Sequence, residues 1–477
     1  MVNSFKYKIF DFNADVMGIL KLFADEPHLF FLDSSLVNPS LGRYSLIGFD
    51  PFDIYQVKGK NIFDDLRSRF LNYSKVYQQG LSNLPIPFCA GAVGFFCYDL
   101  GFQLENIKQK NRDELHIPDC YLGFYDCVIA VDHLAHKLYV VSTGLPETHQ
   151  GLSEKRTKDR LQYIIEKLSK YSKDHDVFSL KNEPLAYGRE LDSMLSCNFC
   201  KQDYIEVVKK ALKYIRRGDI YQVNLAQRYL FDAKIHDIEV HPIDLYSSLR
   251  RFSPSCFGGY FDGGNFQILS SSPERFLKLE RDRVSTRPMK GTRRRGIDLT
   301  EDMRLKKELL ESQKEQAELL MITDLLRNDL GRVCEYGSIK VGNLRALEEY
   351  QTVFQTTSTI EGRLQNQKDA FHLLEACFPG GSVTGCPKIR AMEIIEELEP
   401  SRRSFYTGSL GYIDFSGNMD FNILIRSMLV KKDKIYFNVG SGIVSDSSPE
   451  DEYEETLIKS MALRQAIARH TLLKTEV

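Results

Sequence analysis

The sequence predicts an α+β fold, with mixed, largely antiparallel sheets covered by helices. Three observations carry that reading. Short runs rich in β-branched and aromatic residues recur along most of the chain. Hairpin connections join neighbouring runs, at "DHLAHK" and at Gly263-Gly264. Helical segments mix with these hairpins rather than alternating strictly with strands, so a doubly wound parallel sheet is not expected.

The elements follow in order. "HLFFLDSS", "RYSLIGFDPFDIYQV", "CYLGFYDCVIAVDHL" and "KLYVVST" are the strand-like runs of residues 1–145. His133 and His136, between the last two, read as turn residues. Over 146–198 the composition turns polar and charged around one helical segment, "RLQYIIEKLSKY", which marks a linker or helical excursion. Tyr204, Val207, Val208, Ala211, Leu212 and Ile215 then repeat at helical spacing, and Gly218 ends that helix. "DIYQVNLAQRYLF" reads as a strand, "FGGYFDGGNFQILSSSPERFLKLE" as a hairpin and "RVSTRP" as a strand. One helix is expected from about Asp302 to Asn328. "SIKVGN" is a strand, and "KDAFHLLEACF" and "PKIRAMEIIEELEP" are helices. The runs "SFYTGSLGYIDF", "MDFNILIRSMLVKKD" and "KIYFNVGSGIVSDS" read as strands, before a last helix from Pro449.

Composition narrows the partners. The 63 basic and 65 acidic residues leave a net charge of −2, so nothing calls for nucleic acid, and a small molecule or another protein is expected. No apolar run reaches the roughly 20 residues that span a bilayer, and the N-terminus lacks a signal-peptide pattern, so no membrane association is expected. The ten cysteines are scattered, mostly inside apolar runs, as reduced thiols are in a cytoplasmic protein. Cys197 and Cys200 have no second pair or nearby histidine at zinc-site spacing.

Chemistry-bearing residues collect in the second half. Lys290, in "STRPMKGTRRRG", reads as an anion-binding cation, a solvated charge or a nucleophile, and the stretch alone leaves these open. Glu315 and Glu318 share one helix face, and Glu452 and Glu455 share another. Two such faces brought together would offer hard oxygen ligands to Mg²⁺. "FPGGSVTGCPK" could hold an anion at a helix N-terminus, but Cys386-Pro387 after Gly385 rules out the P-loop pattern. "NVGSGIV" offers a second nest of amides at Gly440 to Gly442. Arg426, in an otherwise apolar strand, needs a counter-charge, either a substrate carboxylate or a structural partner. Glu274 is a strand-end acid that could donate a proton. The sum is an enzyme for a small polyanion.

The stretches "GDIYQVNLAQRY", "SSPERFL", "TRPMKGT", "LLMITDLLRNDLGRV", "FPGGSVTGCPKIRAMEIIEELEP", "GSLGYIDFSGNMDFNILIR" and "GSGIVSDSSPEDEYEET" run in order across about residues 200–465. Together they resemble the chorismate-utilising enzymes. "FLDSS", "RYSLIGFDP", "GAVGFFCYDLG" and "PDCYLGFYD" resemble, more loosely, the N-terminal region of the family's amino-transferring members. The resemblance implies an anthranilate-synthase-component-I-like α/β sandwich. Residues 1–145 would be its N-terminal region and 199–470 its chorismate-binding catalytic domain.

It also implies roles. The lysine base of the water-adding members is replaced here by Gln222, which cannot act as a base. Members that aminate C2 carry "PIAGT", and those that aminate C4 carry "PIKGT". "PMKGT" here aligns Lys290 with the nucleophile of the aminodeoxychorismate-forming branch. Lys290 would attack C2 as Glu274 protonates the departing C4 hydroxyl, ammonia would enter at C4, and the product would be 4-amino-4-deoxychorismate, for 4-aminobenzoate and folate. Arg287 or Arg293 could favour the neutral amine of Lys290. Glu318 and Glu455 would hold Mg²⁺, with Glu315 and Glu452 behind or beside them. Arg426, Tyr412, Gly440 and Gly442 would hold the pyruvyl side chain of chorismate, with Thr292, Thr384 and Lys388 next to the site. Gln355 stands where many members have a histidine, and it can hydrogen-bond but not shuttle protons. No glutaminase cysteine motif occurs, so ammonia would come from a glutamine amidotransferase partner. Ser34, Arg43, Tyr44 and Ser45 correspond to a tryptophan pocket of related members, and whether tryptophan binds here is left open. The alternatives are C2 amination, as in anthranilate synthase component I, and a non-catalytic chorismate-binding subunit.

Overall fold

Strands that bury both faces should alternate between two different cores, and that alternation organises the molecule. A computed structural model describes residues 5–59, 62–75, 84–171, 189–349 and 353–472. Of the expected polar excursion at 146–198, residues 172–188 lie outside the described residues. The described residues form a twelve-stranded sheet, a nine-stranded sheet and a three-stranded sheet. Their strand pairs are antiparallel, as expected.

The two large sheets pack face to face. Phe30, Leu46, Val128, Ala130 and Phe261 of the twelve-stranded sheet meet Val93, Phe95, Tyr121 and Leu410 of the nine-stranded one in a shared core. The rings of Phe95 and Tyr121 stand edge-on to Phe261, with centroids 5.8 and 5.2 Å away. The alternate residues of the same strands point outward under helices. Phe31, Ile47, Ile129 and Val131 lie beneath Val16–Leu22, Gln150–Ser169, Pro242–Phe252 and Pro449–Leu472. Ala92, Phe96, Ile413 and Phe421 lie beneath Ile62–Ser74, Gln313–Gly331 and Ala370–Cys377. The result is a four-layer helix–sheet–sheet–helix sandwich. Among the described residues no helix is long and apolar enough to cross a membrane.

Residues on either side of the 146–198 stretch interleave in both sheets. Phe30–Asp33 pairs with Phe257–Asp262, and Gly91–Phe96 pairs with Ser409–Asp414.

Several expected elements divide. The helix anticipated over Asp302–Asn328 is two helices, Leu299–Glu311 and Gln313–Gly331. Ser312 breaks it at ψ 110°, closing the first helix onto Glu308 O and capping Glu315 N with its hydroxyl at 3.3 Å. The run "MDFNILIRSMLVKKD" is likewise two strands, Met419–Asn422 and Ser427–Lys431, in different sheets. "DHLAHK" is the hairpin expected, with His136 at φ 51° in the turn.

Candidate active site

The site opens where the chain passes from one large sheet to the other. Strand Gln267–Ser272 leaves the twelve-stranded sheet and, through Pro273 and Glu274, enters the nine-stranded sheet as Arg275–Glu280. Residues 423–426 cross back the other way. The two crossings are tied together. Ile423 N donates to Glu274 O at 3.1 Å, Ser271 N to Arg426 O at 3.1 Å, and Ser272 Oγ to Ile423 O at 2.6 Å. A cavity of about 840 Å³ lies beside this seam, lined by Glu274, Lys290, Thr292, Gln355, Arg426, Gly440, Gly442 and the carboxylates Glu315, Glu318, Glu452 and Glu455.

Arg426 stands between strands, not within one, at φ 50°. Among the described residues its guanidinium has no hydrogen-bond or ion-pair partner, and burial alone pushes its pKa down. A half-buried cation without a counter-charge among the described residues, facing a cavity, is a site for an anion, and the guanidinium fork matches a carboxylate.

Glu274 is 6% exposed and accepts from Ser382 Oγ at 2.6 Å. Burial pushes its pKa up to about 7, against the opposing pull of the Ser382 hydroxyl, Lys290 and Arg287. A carboxyl group that still holds its proton near neutrality, on a cavity wall, is equipped to be a general acid.

Lys290 lies in strand Met289–Arg294, paired with Val353–Thr357. The register slips between Lys290 and Thr292, and Gly291 takes φ +70° there, a bulge that re-aims the lysine. Thr356 Oγ1 donates to Lys290 O at 2.5 Å. The Lys290 Nζ lies 3.6 Å from the position a Cβ on Gly442 would take. Among the described residues the amine has no hydrogen-bond or ion-pair partner. The arginines around it already carry counter-charges, Arg293 from Glu308 and Glu315 and Arg287 from Glu348. Gln355 Nε2 donates to Thr292 Oγ1 at 3.3 Å, so the glutamine is tied to the lysine strand.

The glycines line the cavity, but not as a nest. They belong to strand Lys434–Ile443, with Gly442 opposite Asn224 and Gly440 opposite Ala226. Asn224 N donates to Thr384 O and Ala226 N to Glu399, so these are non-hydrogen-bonded pairs whose amides point away from each other. The neighbouring strand Ser427–Lys431 ends its pairing at Phe437, leaving that edge of Gly440 and Gly442 open. A Cβ at Gly440 would lie 2.7 Å from Asn224 Oδ1 and 3.0 Å from the Tyr406 hydroxyl.

The four glutamates come from the two helices expected to carry them, Gln313–Gly331 and Pro449–Leu472. Burial and the nearby charges of Glu315 and Glu455 push the Glu318 pKa up, against the pull of Lys290. Burial also raises Glu455, but the Lys459 ammonium 2.6 Å away outweighs it and leaves its pKa lowered. Glu452 is buried and accepts from the Ser441 hydroxyl and, at 2.5 Å, from Ser447 Oγ. Among the described residues no three carboxylates converge at ligand spacing. Their chemistry nevertheless suits a hard divalent cation: oxygen donors on two facing helices whose mutual repulsion a cation would relieve.

Four expected residues stand apart from the cavity lining. Tyr412 points into the core between the sheets, its ring 5.1 Å from Phe88, because it shares the inward face of Ser409–Asp414 with Leu410. Tyr406 lines the cavity instead. Thr384 is buried and donates to Gly380 O at 2.8 Å, while Lys388 is held by Asp329 at 2.7 Å and Cys377 O at 2.8 Å. The loop reaches the cavity through Ser382 and Val383. Gln222 is fully buried behind Gly442, its amide atoms without hydrogen-bond partners among the described residues. Of the residues matched to a tryptophan pocket, Ser34 Oγ donates to Tyr44 O at 2.7 Å and Ser45 Oγ to Asp33 at 3.1 Å, while Arg43 pairs with Asp132 at 2.6 Å. Tyr44 OH donates to Pro85 O at 2.5 Å, and none of the four lines the cavity. Sequence reasoning missed Tyr406, Ser382 and Lys459. Only Lys459 carried a signal, its i,i+4 spacing from Glu455.

A family model described as chorismate binding enzyme matches residues 32–465. Anthranilate synthase component 1 of Acetivibrio thermocellus is 36% identical over 465 residues, covering 94% of this chain and 92% of its own. Aminodeoxychorismate synthase component 1 of Bacillus subtilis is 36% identical over 444 residues, covering 89% of each. The crystal structure of anthranilate synthase component I from Streptococcus pneumoniae superposes with a TM-score of 0.75 at 29% identity, over 90% of this chain and 93% of that one.

Proposed function

The chain belongs to the chorismate-binding enzyme family, and from that premise we propose that it aminates chorismate at C4, yielding 4-amino-4-deoxychorismate. The observation that carries the reading is Lys290, a primary amine on the wall of the cavity that also holds Glu274 and Arg426. A C2-aminating site has no need of a nucleophilic amine there. Relatives of both kinds match this chain at 36% identity, so the reading rests on the lysine.

Arg426, with Tyr406 and the open strand edge at Gly440 and Gly442, binds the carboxylate of the side chain and fixes the ring. Lys290 Nζ, as the neutral amine, attacks C2. The C2–N bond forms, the two conjugated ring double bonds shift, and the C4–O bond breaks as Glu274 gives its proton to the departing hydroxyl, which leaves as water. Ammonia then attacks C4, the two double bonds shift back and the lysine amine departs from C2. The proton lost by the entering ammonia restores the one Glu274 gave. Gln355 orients without titrating. Glu318 and Glu455, with Glu315 and Glu452 beside them, would hold Mg²⁺, which when bound would neutralise the ring carboxylate. Ammonia would come from a glutamine amidotransferase partner, and the product would serve 4-aminobenzoate and folate synthesis.

The test supplies chorismate, Mg²⁺ and ammonium, then identifies the product by mass and retention. Aminodeoxychorismate is expected from the native chain and none from Lys290→Ala. Anthranilate as the main product, or undiminished C4 amination by the variant, would refute the assignment.

A further inference from the structure

The carboxylates assigned to the metal are not bare. Glu455 pairs with Lys459 at 2.6 Å, Glu452 with Lys314 at 3.8 Å, and Glu315 with Arg293 at 3.2 Å. Only Glu318 has no ion pair among the described residues. All three cations line the same cavity. Lys459 differs from the others in its second contact: its Nζ also donates to Gly440 O at 3.0 Å, on the glycine strand. It therefore ties Glu455 to the glycine strand on which its own helix packs.

We propose that Lys459 is an internal counter-cation that occupies Glu455 until a divalent metal takes that carboxylate. The inference rests on the reading that Glu318 and Glu455 hold the metal. The exchange is physically cheap. The Lys459 and Glu455 side chains are 43% and 48% exposed, and an exposed i,i+4 pair is weak and readily given up. A doubly charged ion facing Glu318 and Glu455 together gains more than a single ammonium on Glu455 alone. The ammonium need not leave the cavity, because the Gly440 carbonyl already accepts from it. Metal entry thus frees a cation on the glycine wall without a change in backbone. The other two pairs do not offer this. Arg293 shares its charge with Glu308, and Lys314 approaches Glu452 only at 3.8 Å, where two serine hydroxyls already engage the carboxylate.

The test is calorimetric titration of the full chain with Mg²⁺ in the absence of chorismate. Removing a competing cation should tighten metal binding, so Lys459→Gln should bind Mg²⁺ roughly fivefold more tightly than the native chain. Lys459→Arg, which keeps the charge, should stay near the native affinity, and Lys314→Gln should shift it less than Lys459→Gln. Glu318→Gln reports on the metal site itself. If Glu318→Gln loses Mg²⁺ but Lys459→Gln binds it no more tightly than the native chain, the counter-cation role is refuted while the metal site stands. If neither the native chain nor Lys459→Gln binds Mg²⁺, the metal assignment fails and the inference falls with it.

Discussion

Glu274→Gln separates the burial of a carboxyl group from its chemistry. The side chain keeps its shape and can still meet Ser382, but it no longer titrates. In the native chain burial lifts the Glu274 pKa from 4.5 to about 7. At 1.36 kcal/mol for each pH unit, that difference is on the order of 3 kcal/mol. The folded-state pKa lies above the unfolded one, so between about pH 4.5 and 7 the folded chain holds a proton that the unfolded chain has released. Stability therefore falls as pH rises through that window, and the whole cost of the buried carboxylate is present above it. Urea unfolding of both proteins at pH 5 and pH 8 measures this. The glutamine variant should gain on the native chain by most of that roughly 3 kcal/mol at the higher pH. It should also lose C4 amination while remaining folded, and native turnover at saturating ammonia should decline above about pH 7. A stability difference that is the same at both pH values would refute burial as the source of the retained proton.

Arg426→Met should weaken chorismate binding by roughly 30-fold or more, about 2 kcal/mol, because it leaves a buried carboxylate without its partner. Titration calorimetry reads this directly, and an unchanged Kd would remove Arg426 from the site. Gly291→Ala should cost about 1–2 kcal/mol from its left-handed backbone. Its new Cβ would also lie 2.8 Å from Leu309 Cδ1 and 2.9 Å from Glu315 Oε2. The urea midpoint and kcat should fall together. A variant as stable and as active as the native chain would show that the bulge does not aim Lys290.

Much of the fold was legible because strands and hairpins announce themselves by composition and turn residues. What could not be read was which sheet a strand joins. "CYLGFYDCVIAVDHL" is a near-continuous apolar run, yet it is two strands, Cys120–Tyr125 and Cys127–Asp132, in different sheets. Both faces of each are buried, so periodicity carries no mark of the change at Asp126. The same cause explains Tyr412. All six residues of Ser409–Asp414 are buried, neither face lines the cavity, and nothing local says that Tyr412 belongs to the core between the sheets. Ser312 breaks a helix without glycine or proline, through a hydroxyl whose capping partner is visible only in three dimensions. Lys388 reads as a cation near a glycine loop, but its partner Asp329 is 59 positions earlier in the chain. Lys290, Glu274, Arg426, Gly440, Gly442 and the four glutamates, which do fall on the cavity, stood out as charged or glycine-rich spots in the sequence, while their roles, and the choice of Thr292 and Gln355, came only from resemblance.

The interleaving of the two ends of the chain makes the cavity non-portable. A fragment beginning at residue 199 would contain all the cavity-lining residues discussed except the N-terminal packing that holds them in place. Its strand Phe257–Asp262 would lose Phe30–Asp33 and its strand Ser409–Asp414 would lose Gly91–Phe96, baring two edges with apolar faces. Evolution can therefore retune this chemistry by single side chains at the seam, but cannot excise it as a cassette and graft it onto another scaffold. Diversification by point substitution, not by recombination of halves, is the route such an architecture leaves open.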